Sequence, residues 1–282
     1  MTADGPLIRN VSDTARWIAA QRADETERPD AAFRDPYARR LAGERGAQIA
    51  RAMAFGGSDW SIVARTCDID RIIDEQVSRG ISRVVNLAAG LDTRPYRMSL
   101  PPSLEWVEID LPGILEYKDE ILENEKPVCA LERIRLDLSD ATARGEALDR
   151  LGGQSKRTLI LTEGLLIYLP ENEVASLAAD LARELSFERW ILDLMSPRLM
   201  KMLMRRYGSR LVEAGAPFKF APKEGTEFFA RFGWKLAETR SPLKTAARLK
   251  RLPFLLRYLS WFPESKSPRN SRPWSAICLF ER

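Results

Sequence analysis

Residues 83–95 read Arg83-Val84-Val85-Asn86-Leu87-Ala88-Ala89-Gly90-Leu91-Asp92-Thr93-Arg94-Pro95. A β-branched run stops at small residues and one glycine, and a helix is predicted to begin just after Pro95. The pattern predicts a buried parallel strand, a tight turn and a helix N-terminus. Ligands of open α/β sheets bind at such carboxyl ends of strands. The turn around Gly90 is therefore the first candidate binding element.

A second strand, Glu105-Trp106-Val107-Glu108-Ile109-Asp110, follows about 20 residues later and ends in a carboxylate. A small-residue turn with an acid at the next strand tip is typical of nucleoside cofactor sites, where the acid accepts hydrogen bonds from the ribose hydroxyls. Two structural alternatives remain open. Gly90 would then belong to a generic turn, and Asp110 would cap the helix predicted at Pro112.

The remainder of the chain continues an alternation of strands and helices. Helices are predicted at 112–122, 171–185 and 226–232, and strands at 83–88, 104–109, 131–137, 157–162, 189–194, 233–240 and 274–281. Residues 7–80 read as mostly helical, with Ile62, Ile69, Ile72, Ile73 and Val77 at helical spacing before Gly80. This order predicts an α/β protein with a parallel, doubly wound sheet.

Composition limits the chemistry. The 282 residues are 45% hydrophobic, with 44 Lys plus Arg against 40 Asp plus Glu, and there is no histidine. The commonest general base and catalytic metal ligand is therefore missing, and no metal is predicted. Cys67, Cys129 and Cys278 lack the spacing of a zinc site or a disulfide framework. With no apolar run of membrane-spanning length and no signal peptide in residues 1–5, a cytoplasmic location is predicted.

Four motifs resemble the leucine carboxyl methyltransferase-like family, which uses S-adenosylmethionine and whose bacterial members act on polyketide-like secondary metabolites. The motifs, in the family's order, are Val85 to Arg94, Glu108-Ile109-Asp110-Leu111-Pro112, Leu136-Asp137-Leu138, and Leu161-Thr162-Glu163-Gly164-Leu165-Leu166-Ile167-Tyr168-Leu169. Val63-Ala64-Arg65-Thr66 with Asp70, Thr14-Ala15 and Asp35-Pro36 are further points of similarity, so the resemblance covers roughly residues 12–195.

The resemblance implies a Rossmann-like, seven-stranded methyltransferase sheet that is mostly parallel, with the last strand antiparallel. It also implies a helical N-terminal extension over residues 1–80 that covers the active site. The methyltransferase domain would then span 81–282, with lid insertions at about 197–222 and 241–273.

The same resemblance assigns cofactor contacts. Gly90 would lie against the methionine part and Asp110 would bind the ribose. Asp137 and Leu138 would flank the adenine. Glu163 would face the methionine ammonium and Arg65 would bind its carboxylate. The remaining expected contacts are Ala88, Arg94, Leu111 and Gly164. One departure concerns the second Arg that family members often carry two positions after the first, where this chain has Cys67.

Purely structural roles, without a ligand contact, remain possible alternatives for three of these residues. Asp137 would cap the helix near Ala141, Glu163 would form a structural salt bridge, and Arg65 would be a solvated helix charge. Tyr168 is a candidate on the acceptor side, with packing as its alternative role. Position alone adds Met195, Arg206 and Tyr207 to the substrate-side candidates.

Because the chain has no histidine to act as a general base, a carboxylate is the methyl acceptor that the sequence favours most. With an ordinary pKa of about 4, a carboxylic acid is ionised at neutral pH and needs no base. The hypothesis is O-methylation of a small acidic metabolite to a methyl ester; the alternative acceptor is a phenol or hydroxyl. One alternative from another class is a nucleic-acid-binding protein that uses the basic residues of 244–273. Another is a peripheral membrane protein with a basic amphipathic anchor from Leu249 to Phe262, and a third is a pseudoenzyme that binds the cofactor without turnover. The oligomeric state is not predicted.

Overall fold

A computed structural model describes residues 11–53, 60–154, 156–213, 217–257 and 273–282. The strands in these ranges are β1 Arg83–Leu87, β2 Glu105–Asp110, β3 Ala130–Arg135, β4 Thr158–Thr162, β5 Phe187–Met195, β6 Lys235–Arg240 and β7 Ser275–Glu281. The α-helices are α1 Val11–Thr26, α2 Ala38–Met53, α3 Trp60–Ser78, α4 Arg94–Arg97, α5 Pro112–Ile121, α6 Ala141–Gly152, α7 Glu171–Arg183, α8 Pro197–Glu213, α9 Pro242–Arg248 and α10 Phe254–Arg257. Two 3-10 helices cover Leu166–Tyr168 and Gly225–Phe232.

The strands form one sheet in the order β3-β2-β1-β4-β5-β7-β6. Pairing is parallel from β3 to β5, whereas β7 runs antiparallel to both β5 and β6. The predicted fold class, mostly parallel with an antiparallel last strand, is confirmed. Since β1 lies between β2 and β4, the strand order reverses there and opens a crevice at the carboxyl ends, where ligands of such sheets bind.

Helices cover both faces of the sheet because successive strand residues point to opposite sides. Val84 and Leu159 pack against Ile69 and its neighbours on α3. Val85 and Ile160 face the other way, toward α6 and α7. All five residues of β1 and of β4 are buried, as expected for central parallel strands. Burying each of these aliphatic side chains contributes about 1.5–3 kcal/mol, so the central strands carry much of the folding free energy.

Helices α1 and α2 form the described part of the N-terminal extension. Ala19 of α1 and Leu41 of α2 pack with Leu115 of α5. The two helices cross very closely at Gly46, where an added Cβ would lie 2.5 Å from the carbonyl oxygen of Arg16. The prediction that this region is helical is confirmed for α1, α2 and α3; residues 7–10 and 54–59 lie outside the described residues.

Local predictions differ from the structure in two places. The helix expected to continue after Pro95 is only α4, and Met98 is already extended. Pro101 disfavours a helical conformation at Leu100, so a longer helix would meet an obstacle there. The helix predicted at 226–232 is present as the 3-10 helix Gly225–Phe232. Within the predicted insertions the structure describes α8, α9 and α10, whereas 214–216 and 258–272 lie outside the described residues.

Candidate functional site at the carboxyl end of the sheet

The turn after β1 is drawn tightly between β2 and α1. Ala88 has a φ of 57° and Gly90 a φ of 49°, both in the left-handed region. The amide of Ala88 donates to the carbonyl of Ile109 over 2.8 Å, which holds this uncommon conformation. A Cβ added at Gly90 would lie 3.6 Å from the Cβ of Ala15. The backbone of this turn is therefore fixed by contacts from both sides.

Asp110 ties the end of β2 to this turn. Its Oδ2 accepts from the amide of Gly90 over 2.6 Å, and its Oδ1 accepts from the amide of Leu111 over 2.7 Å. Burial raises the pKa of Asp110, although the two amides act in the opposite direction. The N-cap of α5 is Leu111, without a side-chain cap, so the alternative in which Asp110 caps this helix is wrong. Each oxygen keeps a second lone pair that can accept from a hydroxyl.

The segment after β3 carries Asp137 and Leu138. Asp137 is exposed and accepts from the amide of Ser139 over 2.9 Å. The N-cap of α6 is Asp140, which accepts from Thr142 and Ala143. The alternative in which Asp137 caps this helix is therefore wrong, because a residue three positions later fulfils that role. Leu138 is half-buried against the main core cluster.

Glu163, at the carboxyl end of β4, lies between two arginines. Nε of Arg65 is 2.9 Å from its Oε1, and Nη1 of Arg94 donates to its Oε2 over 2.8 Å. Burial alone would raise the pKa of Glu163, but Arg94 and Arg65 outweigh it and lower the pKa. The ion-pair alternative for Glu163 is thus observed. Arg65 is not a solvated helix charge, since its side chain is only 19% exposed.

Arg94 connects this pair to further carboxylates. Its side chain is 3% exposed; Nη1 also donates to Asp92 over 2.8 Å, and Nε donates to Asp70 over 2.7 Å. Burial opposes the charge, but the surrounding carboxylates raise the pKa of Arg94 well above its ordinary value. Arg97 donates to the same Asp70 carboxylate over 2.7 Å. Arg94 is therefore held by acids on several sides, as a permanently charged anchor for Glu163.

Sequence reasoning missed Asp193 of β5. Its Oδ1 accepts from the amide of Gly164 over 2.7 Å, and its Oδ2 lies 3.6 Å from Nη1 of Arg65. Burial raises the pKa of this carboxyl. The available signal was an acid inside the otherwise apolar run Trp190–Met195, close to a strand's carboxyl end. Gly164 itself has a φ of 66°, so the turn after β4 requires a left-handed residue.

The acceptor-side candidates are placed less uniformly. Tyr168 ends the 3-10 helix after β4, with its ring 5.7 Å from that of Phe218, and burial raises the pKa of Tyr168 to about 12. Met195 is half-buried at the end of β5. Arg206 is exposed on α8, and the side chain of Tyr207 lies outside the described residues. Tyr168 thus follows β4 and Met195 ends the neighbouring strand β5, whereas Arg206 belongs to a helix beyond the sheet.

The described part of the basic stretch 244–273 packs onto the rest of the molecule. Ala246 and Leu252 are buried in a small cluster with Ala64 of α3. Arg251 forms a two-pronged ion pair with the fully buried Glu25, over 2.8 and 3.0 Å. Through these contacts the described part of the stretch packs against α3 and α1. Among the described helices, none has the length and apolar character needed to cross a bilayer.

A cleft of about 310 Å3 lies beside the arginine network. Its walls come from the loop before α2, from α3 and from α9, and the residues are Ala32, Phe33, Cys67, Asp70, Arg71, Asp74, Thr245, Arg248 and Leu249. Asp70 belongs to both the cleft and the network. No residue predicted for the cofactor or the acceptor lines it, so this cleft is distinct from the strand-end site.

Comparison with known proteins identifies the family of the chain. The family model for leucine carboxyl methyltransferase matches residues 15–182. A Streptomyces coelicolor protein named "Putative S-adenosyl-L-methionine-dependent methyltransferase" is 36% identical over 61% of this chain and 64% of its own length. A Mycobacteroides abscessus protein with the same description is 33% identical over 64% and 65%. The chain thus aligns with less than two thirds of these two relatives. A relative from Streptomyces avermitilis is 31% identical over 79% of this chain and 82% of its own.

Two solved structures share the fold. One, described as a "putative methyltransferase" from Thermobifida fusca, has a TM-score of 0.61 at 15% identity and covers 98% of this chain and 96% of its own. A DUF574 family protein from Streptomyces avermitilis has a TM-score of 0.59 at 12% identity, with 95% and 97% covered. The family match extends from α1 through α7 and includes the turn after β1, Asp110 and the Arg65–Glu163 pair. The chain belongs to the leucine carboxyl methyltransferase family, a family of S-adenosylmethionine-dependent enzymes.

Proposed function

We propose that this chain is an S-adenosylmethionine-dependent O-methyltransferase that converts a carboxylate of a small acidic metabolite to its methyl ester. The observation that carries the proposal is the grouping of the Gly90 turn, Asp110 and the Arg65–Glu163 pair along one edge of the sheet. Backbone amides, a carboxylate that can accept hydrogen bonds from a diol, and a pair of side chains of opposite charge occur there in neighbouring segments. This donor set suits a nucleoside joined to a zwitterionic amino acid.

The proposed contacts follow from that chemistry. Arg65 offers a guanidinium to the methionine carboxylate, and Glu163 a carboxylate to the ammonium. Asp110 accepts from the ribose hydroxyls, Gly90 approaches the methionine part, and Asp137 with Leu138 flanks the adenine, in agreement with the order of β1, β2 and β3 along the edge. Ala88, Leu111 and Gly164 supply turn backbone, and Arg94 anchors Glu163. When bound, S-adenosylmethionine supplies an electrophilic methyl group on a sulfonium.

The choice of a carboxylate as the methyl acceptor is supported by the shortage of general bases in the chain. The sequence has no histidine. Tyr168, with a pKa of about 12, keeps its proton at neutral pH and is a hydrogen-bond donor rather than a base. A carboxylate acceptor is already ionised there, since its ordinary pKa is about 4. The chain then has to orient the acceptor in line with the methyl group and exclude water, and no proton has to be removed.

We further propose that the extension over 1–80 and the insertions at 197–222 and 241–273 cover this site. Support comes from the contacts of α1 with the turn: Ala15 lies against Gly90, and Nη2 of Arg22 donates to the carbonyl of Leu91 over 2.6 Å. The Arg251–Glu25 ion pair joins the second insertion to the extension. A cover of this kind would keep water from the methyl group during transfer.

The cofactor part is tested by calorimetric titration of S-adenosylmethionine and S-adenosylhomocysteine into the wild type and Asp110→Ala. The variant is expected to bind both at least ~10-fold more weakly, because it loses charged acceptors for the ribose and for two backbone amides. Glu146→Ala, which removes an exposed acid on α6, is the matched control. A folded wild type that binds neither ligand would refute the proposal.

The acceptor part is tested with a panel of aromatic and aliphatic acids beside phenols of matched shape. Mass spectrometry should find methyl esters of acids, with a rate that stays level above the pKa of the acceptor acid. Methylation of phenols alone, at a rate rising with pH, would replace the carboxylate with a hydroxyl acceptor.

A further inference from the structure

Asp193 connects three elements of the candidate site. Strand β5 pairs with β4 so that Leu192 lies opposite Thr162, which places Asp193 beside the Glu163–Gly164 turn. One carboxylate oxygen accepts from the amide of Gly164 over 2.7 Å. The other lies 3.6 Å from Nη1 of Arg65 on α3. A single side chain thus spans β5, the turn after β4 and α3.

The guanidinium of Arg65 passes directly over that turn. A Cβ added at Gly164 would lie 3.5 Å from Nη1 of Arg65. The same guanidinium faces Glu163 through a different nitrogen, Nε, at 2.9 Å. Asp193 and Glu163 therefore hold separate nitrogens of one planar group. The contact with Asp193 can persist when the contact with Glu163 opens.

Such an opening is required if the proposed function is correct. The methionine ammonium would take Glu163, and the methionine carboxylate would take Arg65, so the ion pair between the two side chains has to separate. An arginine released from its partner regains rotamer freedom, which favours conformations that do not bind the ligand. A second carboxylate that keeps the guanidinium in place limits this loss of order.

We propose that Asp193 is a positioning residue for cofactor binding, which holds Arg65 over the Gly164 turn while Glu163 exchanges its arginine for the ligand's ammonium. The inference rests on the proposed function, because it assigns a partner to the Arg65 clamp. Asp193 acts through Arg65 by its charge and through Gly164 by its hydrogen bond. These two roles can be separated by substitution.

The surroundings of Asp193 give the proposal a pH signature. Arg65, Glu163, Tyr168 and Cys278 interact electrostatically with this carboxyl, from α3, the turn, the 3-10 helix and β7. Burial raises the pKa of Asp193, so its charge is lost at a higher pH than for an ordinary aspartate. Below that pKa the neutral carboxyl holds Arg65 as weakly as an amide would. Cofactor affinity should therefore fall on the acid side.

The test compares Asp193→Asn with Asp193→Ala by calorimetry. The amide variant keeps an oxygen acceptor for Gly164 and loses the charge that faces Arg65; the alanine variant loses both. Three probes are titrated: S-adenosylmethionine, S-adenosylhomocysteine and 5′-methylthioadenosine, which lacks the amino-acid part. Asp193→Asn should weaken the first two by ~10-fold and Asp193→Ala by more, with the third unchanged. Wild-type affinity should approach that of Asp193→Asn as the pH is lowered, and the profile of the variant should be flatter. Asp149→Asn, an exposed change on α6, is the control.

Each other outcome contradicts the proposal in a recognisable way. Wild-type affinity in Asp193→Asn would leave Asp193 as a hydrogen-bond acceptor for the turn alone. A loss confined to S-adenosylmethionine would mean that Asp193 acts on the sulfonium. Weakened 5′-methylthioadenosine binding would indicate a general distortion of the site. Failure of the proposed function would look different, because the folded wild type would then bind neither of the first two probes.

Discussion

Asp68 on α3 shows how a single buried acid sets a pH dependence. It is 1% exposed, and Thr245 of α9 donates to its Oδ1 over 2.9 Å. Its Oδ2 has no hydrogen-bond partner in the described structure. Burial raises the pKa of Asp68, although Thr245 and the more distant Arg240, Arg248 and Arg71 act against this. The charged form is therefore incompletely compensated.

We expect Asp68→Asn to increase the free energy of unfolding by about 1 kcal/mol at neutral pH, because it removes this charge and keeps an acceptor for Thr245. The folded pKa lies above the unfolded value. The protonated form therefore contributes its full stability below the unfolded pKa, and that contribution is lost as the pH rises through the folded pKa. The advantage of the variant should shrink as the pH falls from neutral toward the ordinary aspartate pKa of about 3.9. Urea unfolding measures it; an advantage independent of pH would contradict the assignment to Asp68.

Among the elements, the end of α1 and the segment after α9 are held by Glu25 and Arg251. Glu25 is 0% exposed, and Arg251 reaches it with two nitrogens while also donating to the carbonyl of Asp30. The amide of Ala32 donates to the same Glu25 carboxylate over 2.7 Å. Lys250, just before Arg251, has a φ of 58°, which a non-glycine residue adopts only when its surroundings enforce it.

We expect Arg251→Met to destabilise the protein by about 3 kcal/mol, because it leaves Glu25 buried without its main counter-ion. Adding Glu25→Gln should recover part of this loss, since a neutral amide tolerates burial better. Denaturant unfolding of the wild type, the two single variants and the double variant gives the coupling free energy between Glu25 and Arg251. Arg150→Met is the control, because its pair with Glu132 is about half exposed on both sides and should cost under about 1 kcal/mol. Equal costs for both arginine variants would contradict the role given to burial.

The elements also show what sequence could predict. All seven strands lie within two residues of their predicted bounds. In the buried central strands the reason is an apolar run such as Val84-Val85; the edge strands β3 and β6 are largely exposed and carry a weaker pattern. The sequence did not predict that α4 ends at Arg97, or that Asp140 rather than Asp137 caps α6. Neighbouring residues compete for such local hydrogen bonds. The Arg65–Glu163–Asp193 contacts could not be predicted, because they depend on how α3, β4 and β5 are placed in three dimensions.

At the scale of the whole molecule, cofactor binding and folding are linked. A ligand present at 100 times its Kd stabilises the folded state by about 2.7 kcal/mol. For a chain of 282 residues this corresponds to a rise in Tm of roughly 5 °C. We expect S-adenosylmethionine to produce such a shift in the wild type, measured by differential scanning fluorimetry. Asp110→Ala should show a smaller shift at the same concentration, and free methionine should show none. A full Tm shift in Asp110→Ala would mean that Asp110 does not contribute to cofactor binding.

The close crossing of α1 and α2 has a consequence for how the sequence of this chain can diversify. Gly46 allows the carbonyl of Arg16 to approach so closely that even a methyl group would force the helices apart. Arg16 is preceded on α1 by Ala15, which lies against the Gly90 turn. Drift or directed evolution of the N-terminal helices is therefore constrained at a position outside the predicted substrate contacts. We expect a substitution at Gly46 to displace α1 and, through Ala15, to weaken the proposed cofactor site, so libraries aimed at new acceptors should leave Gly46 fixed.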